Sequence, residues 1–382
     1  MKFLGALLTA PLAAFAAPIL EARGEAIPGK WIAVLKDSAT NSLHTTFTGI
    51  LGGSAPKHTY KIGGFHGYSI SASDDAISSI ANLDEVAYIE PDFKVSINTL
   101  TSQSSAPWGL ARISSCKPGA SEYLYDETAG IGTFSYIIDT GIYIEHPEFE
   151  GRATFGENFV DGNTNNTDEN GHGTHVAGTT GSLTYGVAKK TQLIAVKVLG
   201  ADGSGAISQV IAGLQWAVDD AKSKDRIGKA VGNISLGALK LLSSSVNTAA
   251  AEAVKEGFFL AVAAGNGNVD ASLYSPASEP TVCTVGASNM TDERASFSNY
   301  GDLIDVFAPG VDILSTWNNG STAIISGTSM ATPHITGLGA YLLSLEGARD
   351  PEALCDRIQV LATQDVVTDS QSTHNILAYN SE

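Results

Sequence analysis

The sequence near the C-terminal end reads Ser326-Gly327-Thr328-Ser329-Met330-Ala331-Thr332-Pro333-His334 and continues with apolar residues at helical spacing. Because proline is tolerated in the first turn of a helix, this pattern predicts Ser329 at or just before a helix N-terminus. The residues that follow are apolar on most sides, which predicts a buried helix. Free backbone N–H groups at such a terminus suit a serine hydroxyl that becomes an alkoxide, although serine is also a common N-cap.

Two further stretches carry residues that can act together with Ser329. Asp139 closes the apolar run 134–138, and a buried carboxylate is costly unless it has a partner; a helix cap or a structural ion pair is the alternative. His172 stands between two glycines, which leave its ring accessible. His175, three residues on, makes a metal pair conceivable, but the glutamate of the metalloprotease pattern is absent, and His175 is predicted to be structural.

Length and composition predict a globular α/β protein. The chain has 382 residues, of which 43% are hydrophobic and 16% charged, and its 40 glycines suit tight turns. The net charge of −18 argues against nucleic acid or an anionic membrane as a partner.

The first hundred residues are predicted to form two separate segments. Residues 1–16 combine Lys2, an apolar run and a small-x-small ending, which is the pattern of a cleaved secretory signal, with a buried helix as the alternative. Residues 17–100 are predicted to form a small α+β domain without a catalytic constellation. The polar stretch 98–105 has the composition of a cleavable linker or a plain interdomain linker.

Residues 101–382 alternate short apolar runs with helical patterns. This order predicts a doubly wound, mainly parallel sheet with helices on both faces. Ligand sites in such sheets form beyond the carboxyl ends of the strands. The predicted strands are 134–138, 193–199, 230–235 and 258–263, and the predicted helices are 208–222 and 244–256.

The order Asp139, His172, Ser329 is that of the subtilisin triad. Residues 106–379 resemble the subtilisin superfamily of serine peptidases, in particular its secreted fungal proteinase K-like branch. The resemblance is carried by Asp139-Thr140-Gly141, His172-Gly173-Thr174-His175-Val176-Ala177-Gly178, Gly327-Thr328-Ser329-Met330-Ala331-Thr332-Pro333-His334 and Ala106-Pro107-Trp108-Gly109-Leu110.

This resemblance implies a role for each residue of the triad. Ser329 is expected to attack the peptide carbonyl and form an acyl-enzyme, with His172 as the base and Asp139 orienting its ring. Asn266 is expected to supply a side-chain amide to the oxyanion. The domain 17–100 resembles the inhibitory propeptides of these enzymes, and removal is expected near 98–102.

The resemblance also implies sites for substrate, metal and crosslink. An extended peptide is expected between Gly203-Ser204-Gly205 and Ser235-Leu236-Gly237, with a roomy apolar pocket at Ala263, Ala264 and Gly265. The carbonyls of Pro280 and Val282 and the carboxylate of Asp305 match a structural calcium site, and no cofactor is expected for catalysis. Cys283 and Cys355 match a disulfide of the branch, which leaves Cys116 as a free thiol or as a partner for intermolecular pairing. Glycosylation sequons begin at Asn165, Asn289 and Asn319.

The predicted function is therefore that of a secreted, monomeric serine endopeptidase of broad specificity. It is expected to prefer apolar or aromatic residues before the scissile bond. The alternative is a catalytically inactive homologue that binds peptides or an inhibitor.

Overall fold

A computed structural model describes residues 16–20, 26–36, 43–93, 100–239 and 244–381. The chain divides into two compact units, Met1–Ser96 and Ile97–Glu382. All but the last residue of the predicted secretory signal, and the first part of the predicted linker, lie outside the described residues.

The first unit is a four-stranded antiparallel sheet with two helices, in the strand order β2-β3-β1-β4. Its core is formed by apolar residues of both helices and three strands, among them Phe47, Ile70, Ile77 and Ile89. This is the α+β domain predicted from the sequence. Its elements are β1 (Ala26–Leu35), α1 (Leu43–Ile50), β2 (His58–Ile62), β3 (Phe65–Ser71), α2 (Asp74–Ala81) and β4 (Val86–Phe93).

The second unit is built on a nine-stranded sheet that is parallel except for one terminal strand pair. In spatial order its strands are β18 (Thr363–Gln364), β19 (Ile376–Leu377), β15 (Val306–Pro309), β14 (Cys283–Ser288), β12 (Phe259–Ala263), β10 (Ala230–Ile234), β7 (Phe134–Asp139), β9 (Gln192–Lys197) and β8 (Ala153–Asn158). Three short antiparallel pairs lie outside this sheet: β5 (Leu100–Ser104) with β6 (Glu122–Asp126), β11 (Ala238–Leu239) with β13 (Tyr274–Ser275), and β16 (Ile313–Thr316) with β17 (Thr322–Ile325).

Both faces of the large sheet are covered by helices, as the apolar runs predicted. Along β12, Phe259 and Ala261 belong to one apolar core while Leu260 and Val262 belong to another. Since successive side chains of a strand point to opposite faces, a strand buried on both faces is apolar throughout. The helices of this unit are α3 (Trp108–Ile113), α4 (His172–Gly181), α5 (Ile207–Ser223), α6 (Ser245–Lys255), α7 (Thr328–Glu346) and α8 (Pro351–Leu361).

The polar stretch 98–105 is not simply a linker, because most of it forms β5. Thr101 and Gln103 are half-buried and alternate with exposed neighbours, and the amide of Gln103 donates to the carbonyl of Thr184 at 2.9 Å. Four of the five residues of β5 are polar, which is the composition of a linker, so the sequence did not predict a strand here. Among the described residues, no helix is both long and apolar enough to cross a membrane.

A disulfide joins Cys283 at the start of β14 to Cys355 in α8, and Cys116 is a free, exposed thiol.

Candidate active site

The residues singled out in the sequence lie together at the carboxyl edge of the large sheet. Strand β7 ends at Asp139, β10 is followed by Ser235, and β12 leads into Asn266. These three strands are parallel neighbours, so their ends meet at one edge. His172 is the first residue of α4, and Ser329 lies in the first turn of α7.

Asp139 and His172 form a direct hydrogen bond, 2.7 Å between Asp139 Oδ1 and His172 Nδ1. A carboxylate only accepts, so Nδ1 donates and Nε2 is left free to take a proton. The carboxylate of Asp139 is fully buried, while a quarter of the His172 side chain is exposed. The backbone N–H of Thr140 donates to the same carboxylate oxygen at 2.7 Å. The imidazole is therefore held at one nitrogen and accessible at its outer side.

The charge around His172 favours the imidazolium. Burial opposes protonation most strongly, but the charge and hydrogen bond of Asp139, with the charge of Asp168, outweigh it and raise the pKa of His172 above its ordinary value. His175 behaves differently: burial lowers its pKa to about 4, and its Nε2 donates to the carbonyl of Ile313 at 2.9 Å. His175 is thus a structural residue of α4, as predicted.

The hydroxyl and the backbone carbonyl of Ser329 each form a hydrogen bond with Ser235. Ser329 Oγ donates to the backbone carbonyl of Ser235 at 2.9 Å, and Ser235 Oγ donates to the backbone carbonyl of Ser329 at 2.9 Å. Among the described residues, no hydrogen bond joins Ser329 Oγ to the ring of His172, and the hydroxyl proton of Ser329 is directed to the carbonyl of Ser235.

Pro333 explains the hydrogen bond from Ser235 Oγ to the backbone carbonyl of Ser329. It lies in the second turn of α7, beyond the first-turn position that the sequence pattern favours. A proline has no N–H to give to the carbonyl four residues earlier, which here belongs to Ser329. Ser235 Oγ satisfies that carbonyl instead.

Asn266 presents its amide nitrogen to the space beside Ser329. Its Oδ1 accepts the backbone N–H of Thr328 at 2.8 Å and the hydroxyl of Thr328 at 2.9 Å, while its Nδ2 donates to no group within the described ranges. A methyl group placed on Gly327 would lie 3.5 Å from Asn266 Nδ2 and 3.6 Å from Ser329 N. The two donors therefore border one small space, which is the arrangement that stabilises an oxyanion.

Two cavities adjoin this centre. One, of about 270 Å³, is lined by Leu236, Gly237, Ala263, Gly265, Asn266, Tyr274, Thr328 and Ser329. The other, of about 220 Å³, is lined by Leu199, Gly203, Ser204, Gly205, Ile207, Val210, Leu236, Gly237, Val246 and Ser275. Seven of the nine residues predicted to bind substrate line one or both cavities.

The remaining two predicted substrate residues line neither cavity. Ser235 is hydrogen-bonded to Ser329, and Ala264 is fully buried, with its carbonyl accepting from Asn299 Nδ2 at 2.8 Å. Sequence reasoning missed Tyr274, which lines the first cavity although it lies outside every motif. It reaches that cavity because β13 pairs with β11, directly after Gly237.

Asp305 is a carboxylate without a cationic partner in the described part of the chain. It accepts the backbone N–H of Thr284 at 2.7 Å and the amide of Gln359 at 3.3 Å. Burial, with the charge of Asp356, raises the pKa of Asp305 to about 7, although the bond from Thr284 opposes the shift. An uncompensated carboxylate next to the segment that carries the Pro280 and Val282 carbonyls fits a hard cation such as calcium.

The three predicted sequons differ in accessibility. Asn165 and Asn319 are exposed, while Asn289 is half-buried and its amide donates to Glu293 Oε2 at 2.7 Å.

Comparison with known proteins gives a consistent result. The sequence profile of the subtilase family matches residues 131–375, and that of the peptidase inhibitor I9 family matches residues 29–98. Proteinase R of Parengyodontium album is 49% identical over 366 residues, covering 95% of this chain and 92% of that protein. The cuticle-degrading protease of Metarhizium anisopliae is 53% identical over 317 residues, covering 83% and 81%. The crystal structure of a cold adapted subtilisin-like serine proteinase is 41% identical, with a TM-score of 0.69 over 72% of this chain and 99% of that one.

Proposed function

Since this chain belongs to the subtilase family and is a subtilisin-like serine peptidase, we propose that it cleaves peptide bonds through an acyl-enzyme on Ser329. The observation that carries the proposal is the 2.7 Å bond between Asp139 and His172 at the sheet edge where α7 presents Ser329. A base oriented by a carboxylate is what a serine hydroxyl needs to become a nucleophile.

The proposed reaction begins when Ser329 Oγ leaves the carbonyl of Ser235 and turns to His172. Nε2 of His172 takes the hydroxyl proton as Oγ bonds to the substrate carbonyl carbon, and the tetrahedral intermediate forms. The imidazolium then gives that proton to the amine nitrogen as the C–N bond breaks, leaving the ester. Water repeats the sequence: His172 takes a proton from it as the water oxygen bonds to the ester carbon, and the imidazolium then gives that proton to Ser329 Oγ as the C–Oγ bond breaks and the acid is released.

The negative oxygen of the tetrahedral intermediate is proposed to lie between Ser329 N and Asn266 Nδ2. Thr328 fixes the Asn266 amide before substrate arrives, so no reorganisation is needed when the charge develops.

Specificity is proposed to come from the two cavities. The 270 Å³ cavity next to Ser329 takes the side chain before the scissile bond, and its lining of Leu236, Ala263 and Tyr274 favours apolar or aromatic residues. The extended peptide runs between 203–205 and 235–237, so a second apolar side chain enters the 220 Å³ cavity. Cleavage sites mapped by mass spectrometry in a digest of an unfolded protein test this. Cuts spread evenly after charged and apolar residues would refute it.

The first unit is proposed to be an intramolecular inhibitor that assists folding and is removed by the enzyme itself. Since β5 pairs with β6 in the second unit, we place the cut at the beginning of 98–102, which keeps most of β5. Residues 1–16 are proposed to direct secretion, and the mature enzyme is proposed to be a monomer. N-terminal sequencing of the secreted product and its mass in solution test these points.

Asp305, with the carbonyls of Pro280 and Val282, is proposed to hold a structural calcium ion. The ion would neutralise the buried carboxylate and tie the segment before β14 to the one before β15. In a Ser329→Ala background, which prevents autolysis, calcium should raise Tm, and Asp305→Asn should abolish the rise.

N-glycans are proposed at the predicted sequons; Asn289 must first break its hydrogen bond to Glu293.

The decisive test of the catalytic proposal is labelling with a serine-directed fluorophosphonate. The wild-type enzyme should be labelled and Ser329→Ala should not. A folded wild type that resists labelling and cleaves no peptide would favour the inactive, peptide-binding alternative.

A further inference from the structure

Asp168 is a buried carboxylate just ahead of α4 that the reaction steps above do not use. Its side chain is 3% exposed, and in the described residues it has no cationic partner. A buried charge of this kind is retained only when hydrogen bonds satisfy it. Five do: Oδ1 accepts from Thr140 Oγ1 (2.8 Å), Asn170 N (3.0 Å) and Gly171 N (2.9 Å), and Oδ2 accepts from Thr174 N (2.9 Å) and Thr174 Oγ1 (2.6 Å).

These donors come from the two segments that carry Asp139 and His172. Asn170, Gly171 and Thr174 surround His172, so they fix the turn that presents the imidazole. Thr140 directly follows Asp139, and its backbone N–H donates to Asp139 Oδ1 at 2.7 Å. The carboxylate of Asp168 therefore binds both the segment that carries Asp139 and the segment that carries His172, whose side chains form the 2.7 Å hydrogen bond.

Thr140 is the point where the two segments are joined. Its hydroxyl donates to Asp168 and accepts the backbone N–H of Gly173 at 2.9 Å. Its carbonyl accepts from the fully buried ammonium of Lys197 at 2.7 Å. The amide, hydroxyl and carbonyl of Thr140 are thus all hydrogen-bonded, and together these bonds link Asp139 to α4.

We propose that Asp168 is a positioning residue for the peptidase reaction, acting through the Thr140 hydroxyl to keep Asp139 in register with His172. The proposal rests on the catalytic function proposed above. It differs from simple helix capping, which requires backbone donors of α4 but no hydroxyl from the residue that follows β7. The Thr140 hydroxyl is therefore the group that distinguishes the two roles.

The test compares Thr140→Val, which has the same shape without the hydroxyl, with Thr140→Ser, which keeps the hydroxyl. Each full-length chain is secreted, matured with a trace of tagged wild-type enzyme that is then withdrawn, and assayed on a chromogenic peptide. Thr140→Val should lower kcat by about tenfold to a hundredfold and leave KM unchanged, because a small misplacement of a catalytic group costs about this much. Thr140→Ser should restore most of kcat.

Thr191→Val is the matched control. Thr191 is fully buried, its hydroxyl bonds to Thr133 and Ser135 at 2.9 Å each, and it lies at the opposite end of β9 from Lys197. It should lose stability as Thr140→Val does and keep its kcat. The low-field proton resonance of the bond between Asp139 and the His172 imidazolium should shift in Thr140→Val alone.

Wild-type kcat in a folded Thr140→Val enzyme would overturn the proposal, as would a Thr140→Ser enzyme that is equally impaired. If Thr140→Val is not secreted, Thr140→Ala against Thr140→Ser decides the same question. An inactive wild type would instead refute the proposed catalytic function, so the two failures are distinguishable.

Discussion

Gly173, the residue after His172, leaves room for the strand end that carries Asp139. A β-carbon at this position would lie 2.1 Å from the carbonyl oxygen of Gly141, 3.1 Å from Thr140 Oγ1 and 3.2 Å from Asp139 Cβ. The nearest atom is backbone and cannot rotate away. Gly173→Ala therefore forces α4 and the segment 139–141 apart.

The size of the effect follows from these contacts. Real β-carbons essentially never approach another heavy atom within 3.0 Å, so the gap must open by about 1 Å. A displacement of that size stretches the 2.7 Å bond between Asp139 and His172 beyond hydrogen-bonding distance. We expect kcat to fall by about a hundredfold, because a misplacement of about 1 Å costs this much, with about 1–3 kcal/mol lost in stability from overpacking.

The assay is hydrolysis of a chromogenic peptide by Gly173→Ala and by Gly213→Ala, both matured in trans. At Gly213, in α5, the first atom that an added methyl meets belongs to a side chain, Val198 Cγ1 at 2.3 Å, which can rotate, and not to the backbone. Gly213→Ala should lower Tm and retain kcat. A Gly173→Ala enzyme with wild-type kcat, or two variants with equal losses of kcat, would show that this close approach does not set the position of the imidazole.

Four further outcomes are expected. Asn266→Ala should lower kcat about 100- to 1000-fold with little change in KM, in steady-state assays; this range comes from subtilisin, a member of the same family. Because catalysis requires a neutral imidazole and the pKa of His172 is raised, kcat/KM should increase with pH through a midpoint above the ordinary value of 6.5; a midpoint below 6.5 would contradict this electrostatic reasoning. Replacing Cys283 and Cys355 by alanine should cost about 4 kcal/mol in denaturant unfolding of a Ser329→Ala protein, since the disulfide spans 72 residues. Cys116→Ser should keep full activity, and thiol reagents should leave the wild-type enzyme active because Cys116, its free thiol, is exposed and outside the site.

The sequence predicted the strands that are buried on both faces. The runs that became β7, β10 and β12 are apolar because helices cover both faces of the sheet, and each prediction ended within about one residue of the observed strand. Strand β5 was not predicted as a strand, because four of its five residues are polar and none is fully buried. Periodicity reports burial, so it identifies buried strands and overlooks polar ones.

The site was predictable in its residue types and less so in its contacts. The motifs named Asp139, His172, Ser329 and Asn266, which lie at or just after the end of a strand or in the first turn of a helix. They did not indicate that the Ser329 hydroxyl bonds to Ser235, since the choice of rotamer depends on a residue 94 positions away. Asp168 was missed for a similar reason: its partners belong to two segments, one after β7 and one at the start of α4, and only the fold brings Thr140 to it.

Pro333 and Ser235 show how two distant motifs depend on each other. The proline removes the N–H that would have bonded to the carbonyl of Ser329, and the hydroxyl of Ser235 donates to that carbonyl instead. Asn233 Nδ2 donates to that hydroxyl at 2.8 Å, so the hydroxyl proton is directed to Ser329. In return, the Ser235 carbonyl holds the Ser329 hydroxyl in its resting position. Restoring an N–H at position 333 would thus replace the hydrogen bond from the Ser235 hydroxyl but not the one to the Ser235 carbonyl, and the serine after β10 would still set the resting position of the Ser329 hydroxyl.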